Sequence, residues 1–185
     1  MKPSSPKSTF MFIFAILAAL LVILPFVVTF NEFLTVLIVK IKIYRTFQDT
    51  LIPFLYRIIA AILSLFGFRT YIDPYYLYVE GMGKKVAVEI AWNCIGWQSL
   101  VLFLLTAVTG LQGEYQIQSK IQCLLLGILG TIFVNILRIS LVALTAVFIG
   151  RYPAIIFHDY FSTLFVVVWL FVFWWLSYRY VLNPH

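Results

Sequence analysis

The chain has 185 residues, of which 63% are hydrophobic and 11% charged, and its formal net charge is +6. A soluble domain carries roughly a quarter charged residues, so this composition excludes an ordinary soluble fold and indicates a polytopic membrane protein. The positive charges lie mostly in short connections, where they set topology and contact lipid headgroups. We expect no nucleic-acid partner, and the sequence contains no aromatic-basic motif of that kind.

Four long runs contain no charged residue, and each approaches or reaches the roughly 20 apolar residues that cross a bilayer. These runs are residues 10–30, 95–113, 121–137 (continuing beyond Arg138 to 150) and 160–178. The sequence predicts an all-α polytopic membrane protein. We expect a single membrane domain over residues 1–185 with about four to six transmembrane helices.

Residues 1–30 contain the first predicted transmembrane helix. Lys2 and Lys7 precede its apolar run, as in a signal peptide, but the sequence lacks a small-residue cleavage motif after that run. We therefore expect an uncleaved span with its basic end in the cytoplasm.

Residues 31–69 admit two interpretations, because apolar stretches flank a basic cluster of Lys40, Lys42 and Arg45. They form either two short spans with this cluster on the cytoplasmic side or two amphipathic helices in the outer interface. Both interpretations leave residues 70–93 on the extracytoplasmic side. The distribution of basic residues favours two spans.

Residues 70–93 are predicted to form a small extracytoplasmic β-hairpin. Apolar and polar residues alternate on both sides of a turn at residues 81–83, which is typical of half-buried strands. The alternating apolar residues are Tyr75, Leu77, Val79, Val86, Val88 and Ile90. This hairpin leads the chain directly to Cys94.

Residues 94–182 are predicted to form a core of three transmembrane helices. These helices begin at Ile95, at Ile121 and near Ile156. A turn over residues 151–153 precedes the last helix. Its tryptophans are expected to face lipid or to form an interfacial belt. They are Trp169, Trp174 and Trp175.

The two cysteines, Cys94 and Cys123, have neither the spacing of a redox pair nor nearby histidines at the spacing of a zinc site. We expect no metal and no cofactor. Cys123 lies near the start of a long apolar helix and is interpreted as a small buried hydrophobic residue.

Arg138 is a charge inside an apolar run. If that helix begins at Ile121, the residue lies about 26 Å along the axis, near the outer edge of a roughly 30 Å hydrocarbon core. Such residues usually face the bundle interior and are functional. Polar residues at helical spacing form a stripe on this helix, namely Thr131, Asn135, Arg138 and Thr145. The alternatives are an arginine that reaches lipid phosphates or a structural pair with Glu80, Glu89 or Asp159.

Cys94 and His158 are expected at the same depth as Arg138, because each lies at the outer end of its predicted helix. A thiol at a helix N-terminus is activated by the helix dipole, and a histidine can serve as its general base. The alternatives are a structural cysteine and an ordinary interfacial histidine. Asp159 and Ser162 lie close enough to orient a neighbour, although a helix-capping role is expected for Asp159.

Three stretches in this order resemble the exosortase/archaeosortase family of membrane transpeptidases, and the resemblance covers about residues 70–180. They are residues 89–100 around Cys94, residues 135–139 with Asn135 and Arg138, and residues 157–159 with His158 and Asp159. The family's usual Ala-Cys-Ser-Gly is Asn93-Cys94-Ile95-Gly96 here.

The resemblance implies that Cys94 is the nucleophile, that Arg138 stabilises the oxyanion or the thiolate, and that His158 completes the site. It implies Asn135 as a support for Arg138. The implied substrate is an exported protein with a C-terminal sorting signal made of a short motif, a transmembrane helix and a basic end. A membrane lipid is the expected acceptor, and the active site would face the extracytoplasmic side of the plasma membrane.

Two rival interpretations remain. One is an intramembrane thiol protease that releases its product to water. The other is a non-catalytic assembly or permease component in which Arg138 is structural.

Overall fold

The computed structural model describes residues 25–26, 28–42, 44–74, 76–81 and 83–182, with the main chain only at Phe47 and Asn93. Most of the predicted first span, residues 1–30, lies outside the described residues, as do Tyr75 and Met82 of the predicted hairpin.

The described chain is mostly helical. Its helices are α1 (residues 28–41), α2 (Tyr44–Leu65), α3 (Trp97–Gly110), α4 (Ile117–Phe148) and α5 (Arg151–Val181). Among the described residues, α2, α4 and α5 are long and apolar enough to cross a membrane. The helix α3 has 14 residues and is therefore about 21 Å long, shorter than a roughly 30 Å hydrocarbon core. The fold is that of a polytopic membrane protein.

A short break separates α1 from α2 at the basic cluster. Lys42 has a φ of 63°, a left-handed conformation that ends a helix. At its other end, α2 stops at Leu65, and the chain turns at Gly67, whose φ is 84°. There the Phe68 N–H bonds the Leu63 carbonyl and the Gly67 N–H bonds the Ser64 carbonyl. This pair of bonds is the Schellman arrangement, which turns the chain into the sheet.

The helix α5 begins at Arg151, so the prediction of a start near Ile156 is wrong. Gly150, with a φ of 126°, makes the bend after α4. Pro153 is the third residue of α5. The N–H groups of the first helical turn have no acceptor within the helix, so a proline is tolerated there.

Three antiparallel strands follow α2 in the order β1 (Arg69–Ile72), β2 (Leu77–Gly81) and β3 (Lys84–Val88). The predicted hairpin corresponds to β2 and β3. The sequence prediction missed β1, which has four residues and is largely exposed on both faces, so no apolar alternation marks it.

The sheet packs against the last turns of α4. Leu77 and Val79 of β2 are fully buried and share a core with Ile139, Ala143 and Val147. With 32 residues, α4 is about 48 Å long and exceeds a roughly 30 Å hydrocarbon core. The sheet therefore covers the part of α4 that can extend beyond the bilayer.

A second core joins α3, α4 and α5 around Phe103, Cys123 and Phe173. Cys123 is fully buried there, which agrees with its interpretation as a hydrophobic residue. The expectation that Trp169 and Trp174 face lipid is wrong, because both pack between helices.

Each inward tryptophan lies over a glycine and donates a hydrogen bond to a threonine. The Trp169 ring lies over Gly130 and its Nε1 donates to Thr131 Oγ1 at 3.0 Å. The Trp174 ring lies over Gly110, and its Nε1 donates to Thr106 Oγ1 at 3.0 Å. A side chain at either glycine would occupy the space of the ring. Trp175, in contrast, is 58% exposed.

Candidate active site

Cys94 lies in a tight turn between the sheet and α3. The Ile90 N–H donates to the buried Tyr56 hydroxyl at 3.1 Å, which fixes the chain as it leaves β3. A single 3₁₀ turn, Trp92–Ile95, then carries Cys94 and is closed by a bond from the Cys94 N–H to the Ala91 carbonyl at 2.9 Å. The cysteine is therefore half-buried on a constrained main chain just before the first turn of α3.

Asn135 holds this turn from α4. Its Nδ2 donates to the carbonyls of Ile95 at 2.7 Å and Cys94 at 3.2 Å. The resemblance implied that Asn135 supports Arg138, but its amide bonds the main chain around the cysteine instead. Gly96 allows this contact, because a Cβ there would lie 2.5 Å from the Asn135 Cγ. Its φ of 92° also favours glycine.

Arg138 contacts the same turn. One terminal nitrogen donates to the Cys94 carbonyl at 2.9 Å. Within the described chain, Arg138 forms no ion pair with Glu80, Glu89 or Asp159. The alternative of a structural pair with one of these carboxylates is therefore wrong. A guanidinium has five N–H donors, and the Nε of Arg138 is buried without a partner among the described residues.

His158 reaches the thiol from α5. Its Nε2 lies 3.1 Å from the Cys94 Sγ, and its Nδ1 lies 2.9 Å from the Asp159 Oδ1. Both residues lie in a π-helical turn, Phe157–Phe161, a distortion that is frequent at functional sites. The expectation that Asp159 caps a helix is wrong, because α5 starts at Arg151 and Asp159 pairs with His158.

A small polar cavity of about 30 Å³ lies beside Arg138, between α3 and α5. Ser162, one turn after His158, lines it, and its buried Oγ has no hydrogen-bond partner among the described residues. The sequence suggested an orienting role for Ser162, but the structure shows no contact of its hydroxyl with the histidine or the carboxylate. Gln98 also lines this cavity and bonds α1 through Thr35 Oγ1 at 2.9 Å.

A larger cleft opens at the thiol. We call it the Cys94 cleft, and its volume is about 900 Å³. One wall is formed by residues 85–89, Ala91 and Cys94, and the other by Val142, Ala146, Arg151, Ala154, Ile155, His158 and Asp159. The side chains of His158 and Asp159 are 42% and 57% exposed in it. The side chains of Cys94, His158 and Asp159 thus border a space large enough for a large ligand.

Sequence reasoning identified five residues that the structure brings together: Cys94, Asn135, Arg138, His158 and Asp159. It did not identify Tyr56, whose hydroxyl contacts a main-chain N–H, a partner that no residue pattern marks. It also gave no role to Gly96, although a glycine directly after the cysteine turn was the available signal.

The hydrogen bonds favour one tautomer of the histidine. If the Nδ1 carries the proton donated to Asp159, the Nε2 lone pair faces the thiol and can accept its proton. The resulting thiolate is the nucleophilic form of cysteine. The fold and the site therefore define a polytopic membrane protein that carries a Cys-His-Asp arrangement, a constellation suited to nucleophilic catalysis.

Comparison with protein families agrees with this class. The family model for transmembrane exosortases (Exosortase_EpsH) matches residues 4–175. The chain belongs to the transmembrane exosortase family, as its motifs suggested. No curated protein and no solved structure matches it.

Proposed function

We propose that this protein is a membrane-embedded cysteine transpeptidase that removes C-terminal sorting signals from exported proteins through an acyl intermediate on Cys94. The observation that carries the proposal is the 3.1 Å approach of the Cys94 Sγ to the His158 Nε2. Membership of the transmembrane exosortase family supports it. We place the site on the extracytoplasmic side of the plasma membrane, where exported proteins are processed.

The first half of the reaction transfers the acyl group to the enzyme. His158 accepts the thiol proton, and the Cys94 thiolate attacks the carbonyl carbon of the scissile peptide bond. The bond to nitrogen then breaks, His158 gives its proton to the leaving amine, and a thioester remains on Cys94. The membrane helix of the sorting signal leaves with a new amino terminus.

Arg138 supplies the positive charge that this half-reaction needs. The tetrahedral intermediate carries a negative oxygen, and stabilisation of that charge is usually the largest catalytic contribution. Among the described residues, one guanidinium donor bonds the Cys94 carbonyl and the Nε has no partner, and we assign a remaining donor to the oxyanion. Asp159 orients the imidazole and stabilises its protonated form.

The second half of the reaction releases the acyl group. An amine-bearing acceptor, which we propose to be a membrane lipid, attacks the thioester carbonyl while His158 removes its proton. The carbon–sulfur bond breaks and the thiolate returns. Water in place of the amine would give hydrolysis with the same residues.

The test is co-expression with a cognate substrate and analysis of the substrate's new C-terminus by mass spectrometry. Cys94→Ala should abolish processing, whereas Cys123→Ala, which changes the buried second thiol, should retain it. A product mass that includes an amine-linked group indicates transfer, and a free carboxylate indicates hydrolysis. Processing by Cys94→Ala at the unmodified rate would overturn the assignment.

A further inference from the structure

The outer edge of β3 forms one wall of the Cys94 cleft. It is the last strand of the sheet, and in the described part of the chain no other strand pairs with this edge. Residues 85–89 line the cleft, and the same wall continues to Cys94. An unpaired edge presents a row of N–H and C=O groups to any chain that approaches it.

The register shows which main-chain groups point into the cleft. A two-residue turn joins β2 to β3 and pairs Gly81 with Lys84. The pair that flanks such a turn is hydrogen-bonded, and bonded and non-bonded pairs then alternate along the strands. The main chain of Val86 is therefore bonded to β2, whereas the N–H and C=O groups of Lys85 and Ala87 face the open edge.

Part of the opposite wall of the cleft is apolar and is built from small residues. Val142 and Ala146 of α4 and Ala154 of α5 line it, and both alanines are buried. A strand laid beside β3 would direct alternate side chains toward this wall. Since the cleft of about 900 Å³ lies near the upper end of ligand-site volumes, it suits an extended polypeptide segment.

We propose that the acyl-side segment of the polypeptide substrate binds in the Cys94 cleft as a fourth strand paired with the open edge of β3. The inference rests on the proposed function, because it assigns the binding mode of that reaction's substrate. Main-chain hydrogen bonds supply the affinity and alternate side chains the specificity, as in other cases of strand addition. Because β3 and Cys94 belong to one short continuous segment, the pairing register also places the scissile carbonyl.

Ala87→Pro tests whether the substrate pairs with the open edge of β3. The proline removes an N–H that faces the cleft and leaves the hydrogen bonds between β3 and β2 in place. Ile72→Pro is the matched control. It lies at the end of β1, the opposite edge strand, and is 41% exposed.

The probe is a pool of octapeptidyl chloromethyl ketones with small and apolar residues at alternate positions. The Cys94 sulfur displaces chloride to form a thioether, and the thiol proton passes to His158.

Ala87→Pro should slow alkylation of Cys94 by the peptide pool roughly three- to tenfold, the loss expected for one hydrogen bond. Alkylation by iodoacetamide, which is too small to span the edge, should be unchanged. Ile72→Pro should leave both rates unchanged. An equal rate for the peptide pool in Ala87→Pro and the unmodified protein overturns the inference.

A second measurement decides the matter if Ala87→Pro fails to fold, which iodoacetamide alkylation of Cys123, buried in the folded protein, would reveal. N-methyl groups are placed at successive positions of the peptides and tested on the unmodified protein. Strand addition predicts that methylation at every second position blocks alkylation. Uniform tolerance, or peptides that react no better than iodoacetamide, would contradict it. Neither result bears on whether Cys94 processes substrate, which the Cys94→Ala experiment tests separately.

Discussion

Asn135 and Arg138 donate hydrogen bonds to one oxygen, the main-chain carbonyl of Cys94, at 3.2 and 2.9 Å. The two residues are three apart on α4 and so lie on the same face, one above the other. Their spacing therefore has a direct structural reason. It lets a single helix bond the main chain of Cys94 through both side chains.

Replacement of Asn135 should damage the site through the main chain. We expect Asn135→Leu to lower processing at least tenfold, because two carbonyls of the cysteine turn lose a buried donor. The free energy of unfolding should fall by about 1–3 kcal/mol. Processing assays and thermal unfolding in detergent measure these effects.

Thr145→Val is the matched control for Asn135→Leu. Thr145 lies on the same polar stripe of α4, but its hydroxyl donates to the Leu141 carbonyl within the helix. We expect processing to be retained. Equal processing by the two variants would show that the amide of Asn135 does not support the site.

A methyl group at Gly96 should disrupt the site more than the backbone strain alone predicts. Gly96→Ala introduces a Cβ that would lie 2.5 Å from the Asn135 Cγ, at a φ of 92°. Gly83→Ala is its control, because φ is 74° there and nothing lies within 4 Å of the added Cβ. Both variants carry the strain of a left-handed residue, and only the first displaces Asn135. Processing should be lost in Gly96→Ala and largely kept in Gly83→Ala, and equal losses would contradict this account.

His158 and Asp159 should contribute unequally. We expect His158→Ala to lower processing roughly 10²- to 10⁴-fold, the range for loss of a general acid–base group. Asp159 is more than half exposed, so loss of its charge in Asp159→Asn should cost about 1 kcal/mol, or roughly fivefold in rate.

Iodoacetamide alkylation of Cys94 at neutral pH separates a chemical role of His158 from a structural one. A histidine that takes the thiol proton should make alkylation fast, and His158→Ala should slow it with unchanged thermal stability. Asp49→Asn, on the exposed surface of α2, is the control and should change neither the alkylation rate of Cys94 nor the thermal stability. Fast alkylation in His158→Ala would show that His158 does not accept the thiol proton of Cys94.

Much of this site follows from the sequence, because its signals are local. Arg138 was predicted because it is a charged residue inside an apolar run. Cys94 and His158 were predicted from the order of the motifs. The partners of these side chains were harder to predict. The target of Asn135 is a main-chain carbonyl, which is available at every residue and so carries no sequence signal.

Helix boundaries account for the errors around Asp159. The proline at position 153 suggested a turn, and a helix start near Ile156 made Asp159 look like a cap. In the structure, α5 begins at Arg151 and its π-helical turn pairs Asp159 with His158. A π-helical turn depends on tertiary contacts, and the local sequence does not specify it.

The tryptophans of α5 provide a test of the membrane core. Trp174 packs over Gly110 and donates to Thr106, whereas Trp175, the next residue, is 58% exposed. Trp174→Phe removes the hydrogen bond and part of the ring, so the free energy of unfolding should fall by about 1–3 kcal/mol. Trp175→Phe makes the same chemical change on the outer face and should alter it by less than about 0.5 kcal/mol. Thermal unfolding of both variants in one detergent compares them directly. A larger effect at Trp175 would show that the lipid-facing interpretation of Trp174 was the correct one.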